Sequence, residues 1–143
     1  MKHINNSCEV ISFEDLKEFE RYFNVAFPLC FKEFYMAHNG GYVVEKDFMI
    51  DDILFDIHCF FSVKYQTNNI STIISNYEES MRLRNYQKEY VPFALDQGGN
   101  NYLINIGKEK YGGIYMWYHD IDYYENKVQI CDNFSIISNL FYN

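Results

Sequence analysis

The chain lacks the marks of several large protein classes. No stretch of its 143 residues approaches the ~20 consecutive apolar residues that a membrane-spanning helix needs. The opening MKHINNSCEV carries no apolar run of signal-peptide length. Basic residues are scarce, with 12 Lys and Arg against 20 Asp and Glu and a formal charge of −8. This excludes a general nucleic-acid binder, whose affinity rests on cations set against phosphate. The four cysteines, Cys8, Cys30, Cys59 and Cys131, lie far apart with no CxxC. Cys30, Cys59 and Cys131 each sit among apolar neighbours, as buried free thiols do. Together these absences describe a reduced, cytoplasmic protein.

Chemistry-bearing motifs are missing too. His3, His38, His58 and His119 form neither HExxH nor HxH. His58 and Cys59 are neighbours on an expected strand, so they point to opposite faces and cannot chelate together. Gly98-Gly99 belongs to neither a phosphate loop nor a GxGxxG fingerprint. The acid pairs Asp51-Asp52 and Glu78-Glu79 diverge on a strand or a helix and are expected in solvent. No cysteine has a flanking base to lower its thiol pKa. No catalytic set, cofactor site or metal site is expected.

What the chain has is aromatic mass: 14 Tyr, 13 Phe and one Trp, within a composition that is 48% apolar. That is enough for a real core and rules out a disordered tail. Residues 1–143 read as one domain. Ser12 with Asp15 forms a capping box for a helix over Phe13–Phe23, with Leu16, Phe19 and Phe23 inward and Asn24 as breaker. Pro28 opens a second helix, Leu29–His38, with Leu29, Cys30, Phe34 and Ala37 inward and a stop at Asn39-Gly40-Gly41. Short strands are expected at Tyr42–Val44 and Phe48–Ile50. Ile53–Val63 alternates as one strand that buries Ile53, Phe55, Ile57, Cys59, Phe61 and Val63. Leu54 and Phe60 spoil its polar side. Asn68 or Asn69 caps a third helix over Ile70–Arg84, and Asn133–Tyr142 forms a fourth.

Between those last helices lies Val91–Asp120, read as a β-meander at the centre of the sheet. Its pieces are Phe93–Leu95, the turn Asp96–Asn101, Tyr102–Ile106, the turn Gly107–Gly113 and Ile114–His119. Glycines 98, 99, 107, 112 and 113 are expected to supply positive-φ turn positions. Val128–Cys131 is a last short strand. The sum is an α+β fold: about four helices on a mixed, mostly antiparallel sheet.

This stretch carries a resemblance. Pro92, Phe93, Ala94, Asp96, Gly98, Gly99, Asn100 and Tyr102, followed by Gly113, Ile114, Tyr115, Trp117, His119 and Asp120, resemble the meander of the SUKH superfamily of SMI/KNR-type domains. Leu16, Glu20, Val25, Phe27, Pro28, Phe31, Phe34 and Asn39-Gly40-Gly41 match the opening helical pair of that family. Leu29-Cys30 is less polar than its usual pattern. The resemblance implies a SUKH-like mixed α/β domain without enzymatic activity. Its commonest bacterial role is immunity: binding and neutralising a cognate toxin, often a nuclease with a basic surface. Eukaryotic members imply a second possibility, a regulatory protein-interaction scaffold with no toxin partner.

Charge patterning supplies a candidate surface. Tyr42–Phe61 carries a net −4 and Pro92–Glu125 a net −3, nearly the whole charge of the chain. Aromatics interleaved with carboxylates suit a basic partner, through cation–π contacts and bidentate acceptance from Arg. The expected contacts are Asp120, Asp122, Tyr123, Tyr124 and Glu125, helped by Asp47, Asp51, Asp52 and Asp96. Two readings of the acids stand: a docking surface, or a solvated face that aids solubility. Trp117 and Tyr115 are open to a similar choice between surface and core.

Overall fold

The computed structural model describes residues 1–5, 7–67, 69–83, 87–119 and 127–142. Strand β1 (Ile4–Asn5) precedes helices α1 (Phe13–Phe23) and α2 (Leu29–Ala37). Then follow β2 (Gly41–Val43), β3 (Asp47–Ile50), β4 (Ile53–Asp56) and β5 (Cys59–Phe60). Helix α3 (Ile73–Leu83) leads into the meander β6 (Tyr90–Leu95), β7 (Asn101–Asn105) and β8 (Ile114–Trp117). Strand β9 (Lys127–Cys131), helix α4 (Ser135–Ser138) and a 3-10 turn (Asn139–Phe141) complete the chain.

Seven strands form one sheet in the order β1-β2-β5-β6-β7-β8-β9, every pairing antiparallel. The meander is central, as expected, because β6 is fourth of the seven. Val91, Phe93, Tyr102, Ile104, Ile114 and Met116 line the main core with Phe19, Phe31, Phe34, Phe60 and Phe134. Phe34 sits 4.9 Å from Phe60 and 5.4 Å from Phe134, so ring-on-ring contact joins α2, β5 and the C-terminal segment.

Helix α1 forms as its sequence dictates. Ser12 Oγ accepts from Asp15 N (3.1 Å), Asp15 Oδ2 accepts from Ser12 N (2.8 Å), and Asn24 turns left-handed at φ 54°. Helix α2 is rotated from the expected stripe: Phe31, Phe34 and Tyr35 are buried, whereas Leu29 is 69% exposed. The three large rings claim the core because each buries more apolar area than Leu29 or Ala37 can. The Tyr35 hydroxyl keeps its polarity satisfied by donating to Phe61 O (2.9 Å) and Phe93 O (3.3 Å).

Asn39-Gly40-Gly41 knits three segments together. Asn39 Nδ2 donates to Glu9 O (2.8 Å) and Lys64 O (2.7 Å), and its Oδ1 accepts from Val63 N (2.8 Å). Gly40 (φ 78°) and Gly41 (φ 131°) adopt backbone that L-residues avoid. A Cβ on Gly41 would stand 2.5 Å from Ile4 Cγ2 and 2.8 Å from Asn5 O, on the strand that pairs with β2.

Several expectations are corrected. Ile53–Val63 is not one strand: β4 belongs to a two-stranded hairpin and β5 to the main sheet. The chain changes partner at Ile57 and His58, whose N–H groups donate to Lys46 O (3.0 Å) and Leu95 O (2.7 Å). Alternation alone cannot reveal a change of partner. Helix α3 starts at Ile73, because Thr72 Oγ1 accepts from Ser75 N (3.1 Å) as the cap. Asn69 instead holds φ 68° in a turn, and Asn68 lies outside the described residues. Of the meander glycines only Gly99 and Gly112 have positive φ, because the other turn bends are made with ordinary backbone. The C-terminal helix is one short α turn followed by 3-10 geometry. Strand β1, with Ile4 opposite Val43, was not expected.

Candidate functional site

Four acids of the sequence reading, Asp47, Asp51, Asp52 and Asp96, lie on the β3–β4 hairpin and the turn beside it. The hairpin, Asp47–Asp56, holds four Asp and no base. Its register pairs Asp47 with Asp56, Phe48 with Phe55, Met49 with Leu54 and Ile50 with Ile53. Asp51 (φ 49°) and Asp52 (φ 64°) make the two-residue turn, both left-handed. Asp tolerates that conformation, and two positive-φ residues match the twist of a tight hairpin.

One hairpin face is fastened to the core. Phe48 stacks on Phe55 with centroids 5.8 Å apart and lies 6.4 Å from Tyr102 on β7. The Tyr102 hydroxyl donates to Asp56 O (2.6 Å). Tyr102 ionises well above the usual tyrosine range, first because it is buried and then because Asp56 and Asp96 lie close. The Asp56 carboxylate accepts from Gln97 N (2.8 Å), which draws the Asp96–Asn101 turn against the hairpin root.

Asp96 folds that turn. Its carboxylate accepts from Asn100 N (2.7 Å) and Asn100 Nδ2 (2.9 Å), and His119 Nε2 lies 2.8 Å from Gly98 O. One acid of the second region therefore neighbours the first: Asp47, Asp56 and Asp96 gather at the hairpin root. Asp51 and Asp52 are at the far end, exposed. Asp51 lines an open groove of about 420 Å³ with Cys131 and Asp132. The Cys131 thiol is pushed up to about 11, chiefly by burial, with Asp132 and Asp51 adding to the shift. Of the nine expected contact residues, Asp47, Asp51, Asp52 and Asp96 thus have defined places. Asp120, Asp122, Tyr123, Tyr124 and Glu125 lie outside the described residues.

Tyr115 and Trp117 do not join this surface. Their strand alternation sends Met116 to the main core, and Tyr115 and Trp117 to a second cluster with Tyr90 and Leu103. Tyr115 is 5% exposed. The chain's own Lys127 lies 4.3 Å from the Tyr90 ring and 6.0 Å from the Trp117 ring, supplying the cation these aromatics attract.

Sequence reasoning missed the apolar content of the hairpin surface. Met49 (57%), Ile53 (59%) and Leu54 (64%) are exposed, although Ile53 was expected inside. The signal was present: Leu54 broke the alternation, and Asp51-Asp52 between two apolar runs is a hairpin turn.

Among the described residues no group of three His, Cys, Asp or Glu is placed to hold a metal ion, and no helix is long and apolar enough to cross a membrane. All four cysteines are free, and burial pushes Cys59 up to about 11. A rigid sheet carrying an acidic, partly apolar hairpin has the means to bind another protein.

No curated protein gives a significant match to the chain. The model of the SMI1 / KNR4 family (SUKH-1) matches residues 11–138. That span contains the α1–α2 pair, the Asn39-Gly40-Gly41 junction, the acidic hairpin and the whole meander. By this match the chain belongs to the SMI1/KNR4 (SUKH-1) family, a family of non-enzymatic immunity domains.

Proposed function

We propose that this protein is a cytoplasmic immunity protein that binds and neutralises a cognate bacterial toxin, a nuclease, through an acidic and aromatic surface. The observation that carries the reading is the gathering of Asp47, Asp56 and Asp96 within a family of toxin-binding domains: Asp47 opposes Asp56, whose carboxylate holds the Asp96 turn. A nuclease presents a basic surface to phosphate, and a protein of charge −8 is drawn onto such a surface at long range. Inhibition then follows from occlusion: the substrate's phosphates and the immunity protein's carboxylates compete for the same cations. The protein itself does not engage nucleic acid or membrane. Asp120, Asp122, Tyr123, Tyr124 and Glu125 extend the proposed contact set. Asp96 acts mainly by holding its turn, since Asn100 engages both carboxylate oxygens.

The test is co-expression with the polypeptide encoded directly upstream. The reading predicts restored growth and a complex that co-purifies. Neither growth nor a complex would favour a regulatory scaffold of the same family.

A further inference from the structure

The outward face of the β3–β4 hairpin combines two features that folding does not call for. Asp47 and Asp56 stand directly opposite each other, and like charges so placed destabilise a strand pair. Beside them, Met49 and Leu54 form an apolar cross-strand pair in solvent, 57% and 64% exposed, whereas Ile53 pairs with Ile50 and so belongs to the opposite face. The inward face, Phe48 and Ile50 with Phe55, already supplies the anchorage the hairpin needs. The Met49–Leu54 pair is therefore not needed for that anchorage, whereas Asp56 also holds the neighbouring turn by accepting from Gln97 N. The nearby cations are committed elsewhere: Lys46 Nζ donates to Val43 O (2.8 Å) and Lys2 Nζ to Glu45 O (2.8 Å) and Asp47 O.

Resting on the immunity reading, we infer that the Met49–Leu54 ridge is the anchor that docks the toxin, on a basic surface of the toxin domain. The apolar ridge is bounded by Asp47 and Asp56 at one end and Asp51 and Asp52 at the other. A complementary partner presents an apolar depression rimmed by Lys and Arg. The ridge excludes water, and the flanking carboxylates then pair with cations away from bulk solvent, where such pairs are strongest. This distinguishes the hairpin from another exposed apolar place, the groove of about 510 Å³ between Phe13, Leu29 and Met36. That groove is flanked by both Lys32 and Glu33 and has no charge preference.

The experiment measures binding of the full-length protein to the upstream-encoded polypeptide, purified in a catalytically inactive form, alongside growth rescue. Met49→Ala/Leu54→Ala removes the ridge. Asp51→Asn/Asp52→Asn removes tip charge while keeping residues that accept positive φ. Phe13→Ala/Leu29→Ala is the control, and unchanged thermal unfolding confirms that each variant folds. The proposal expects the ridge variant to weaken binding by at least about ten-fold, chiefly through faster dissociation, and to lose rescue. The tip variant should slow association, and the control should bind as wild type. Wild-type binding by the folded ridge variant would overturn the assignment while leaving the immunity reading intact. So would loss confined to the Phe13/Leu29 variant, or a dimer of the free protein that the ridge substitutions dissolve. Failure of the wild-type protein itself to bind or rescue would instead refute the immunity reading, and the docking surface with it.

Discussion

Single side chains decide whether the chain reaches this fold. Asn39 serves three backbone partners from a site only 2% exposed. Asn39→Asp keeps the acceptor but deletes both N–H bonds and places a carboxylate beside two carbonyls. The expected loss is about 3 kcal/mol or more in denaturant unfolding; a loss below about 0.5 kcal/mol would show the junction to be dispensable. Tyr35→Phe leaves Phe61 O and Phe93 O without that donor and should cost about 1–3 kcal/mol. Asp15 gives a pH signature. The Ser12 N–H and then the Lys64 ammonium hold its carboxyl down at about 2. A lowered folded-state pKa contributes stability that is present above the unfolded value, near 3.8, and lost as pH falls toward 2. Asp15→Asn should flatten the stability curve between pH 4 and 2, and an unchanged slope would contradict the cap geometry.

Elements differ in how openly the sequence announces them. Helix α1 was legible to the residue, because its cap, its stripe and its left-handed Asn24 are all local signals. The meander was legible for the same reason, as Gly and Asn turns punctuate β-branched and aromatic runs. Helix α2 was placed correctly but turned wrongly, since Phe31 packs on Phe93 and Phe134 and Tyr35 donates to Phe61 O and Phe93 O, all far along the chain. The hairpin was half legible. Its acids were found, but the single alternation through Ile53–Val63 hid the passage from one sheet to another at Ile57. Burial there is set by β6 through the bond from His58 N to Leu95 O, and no local pattern encodes it. Because the hairpin is fastened mainly through Phe48, Phe55 and Tyr102, Phe48→Ala should cost about 3 kcal/mol. Hydrogen exchange should show faster opening of Asp47–Asp56 than of Tyr102–Ile104, whose side chains are fully buried. Equal protection would mean that the hairpin is more tightly bound than its contacts imply.

At the scale of the molecule, the fold lays an acidic hairpin across one side of a stiff, aromatic-rich sheet and keeps Tyr115 and Trp117 in a separate cluster. On the docking proposed above, charge sets how quickly a partner arrives and the ridge sets how long it stays. Raising ionic strength from 0.05 to 0.5 M should therefore slow association with a basic toxin by about ten-fold or more, with little change in dissociation. An on-rate indifferent to salt would demote the acids to solubility. The most direct test of the account remains growth rescue by co-expression with the upstream-encoded polypeptide. The account predicts that the wild-type protein restores growth and co-purifies in a stable complex. Absence of both rescue and complex would contradict it and leave a family member that works as a scaffold for other partners.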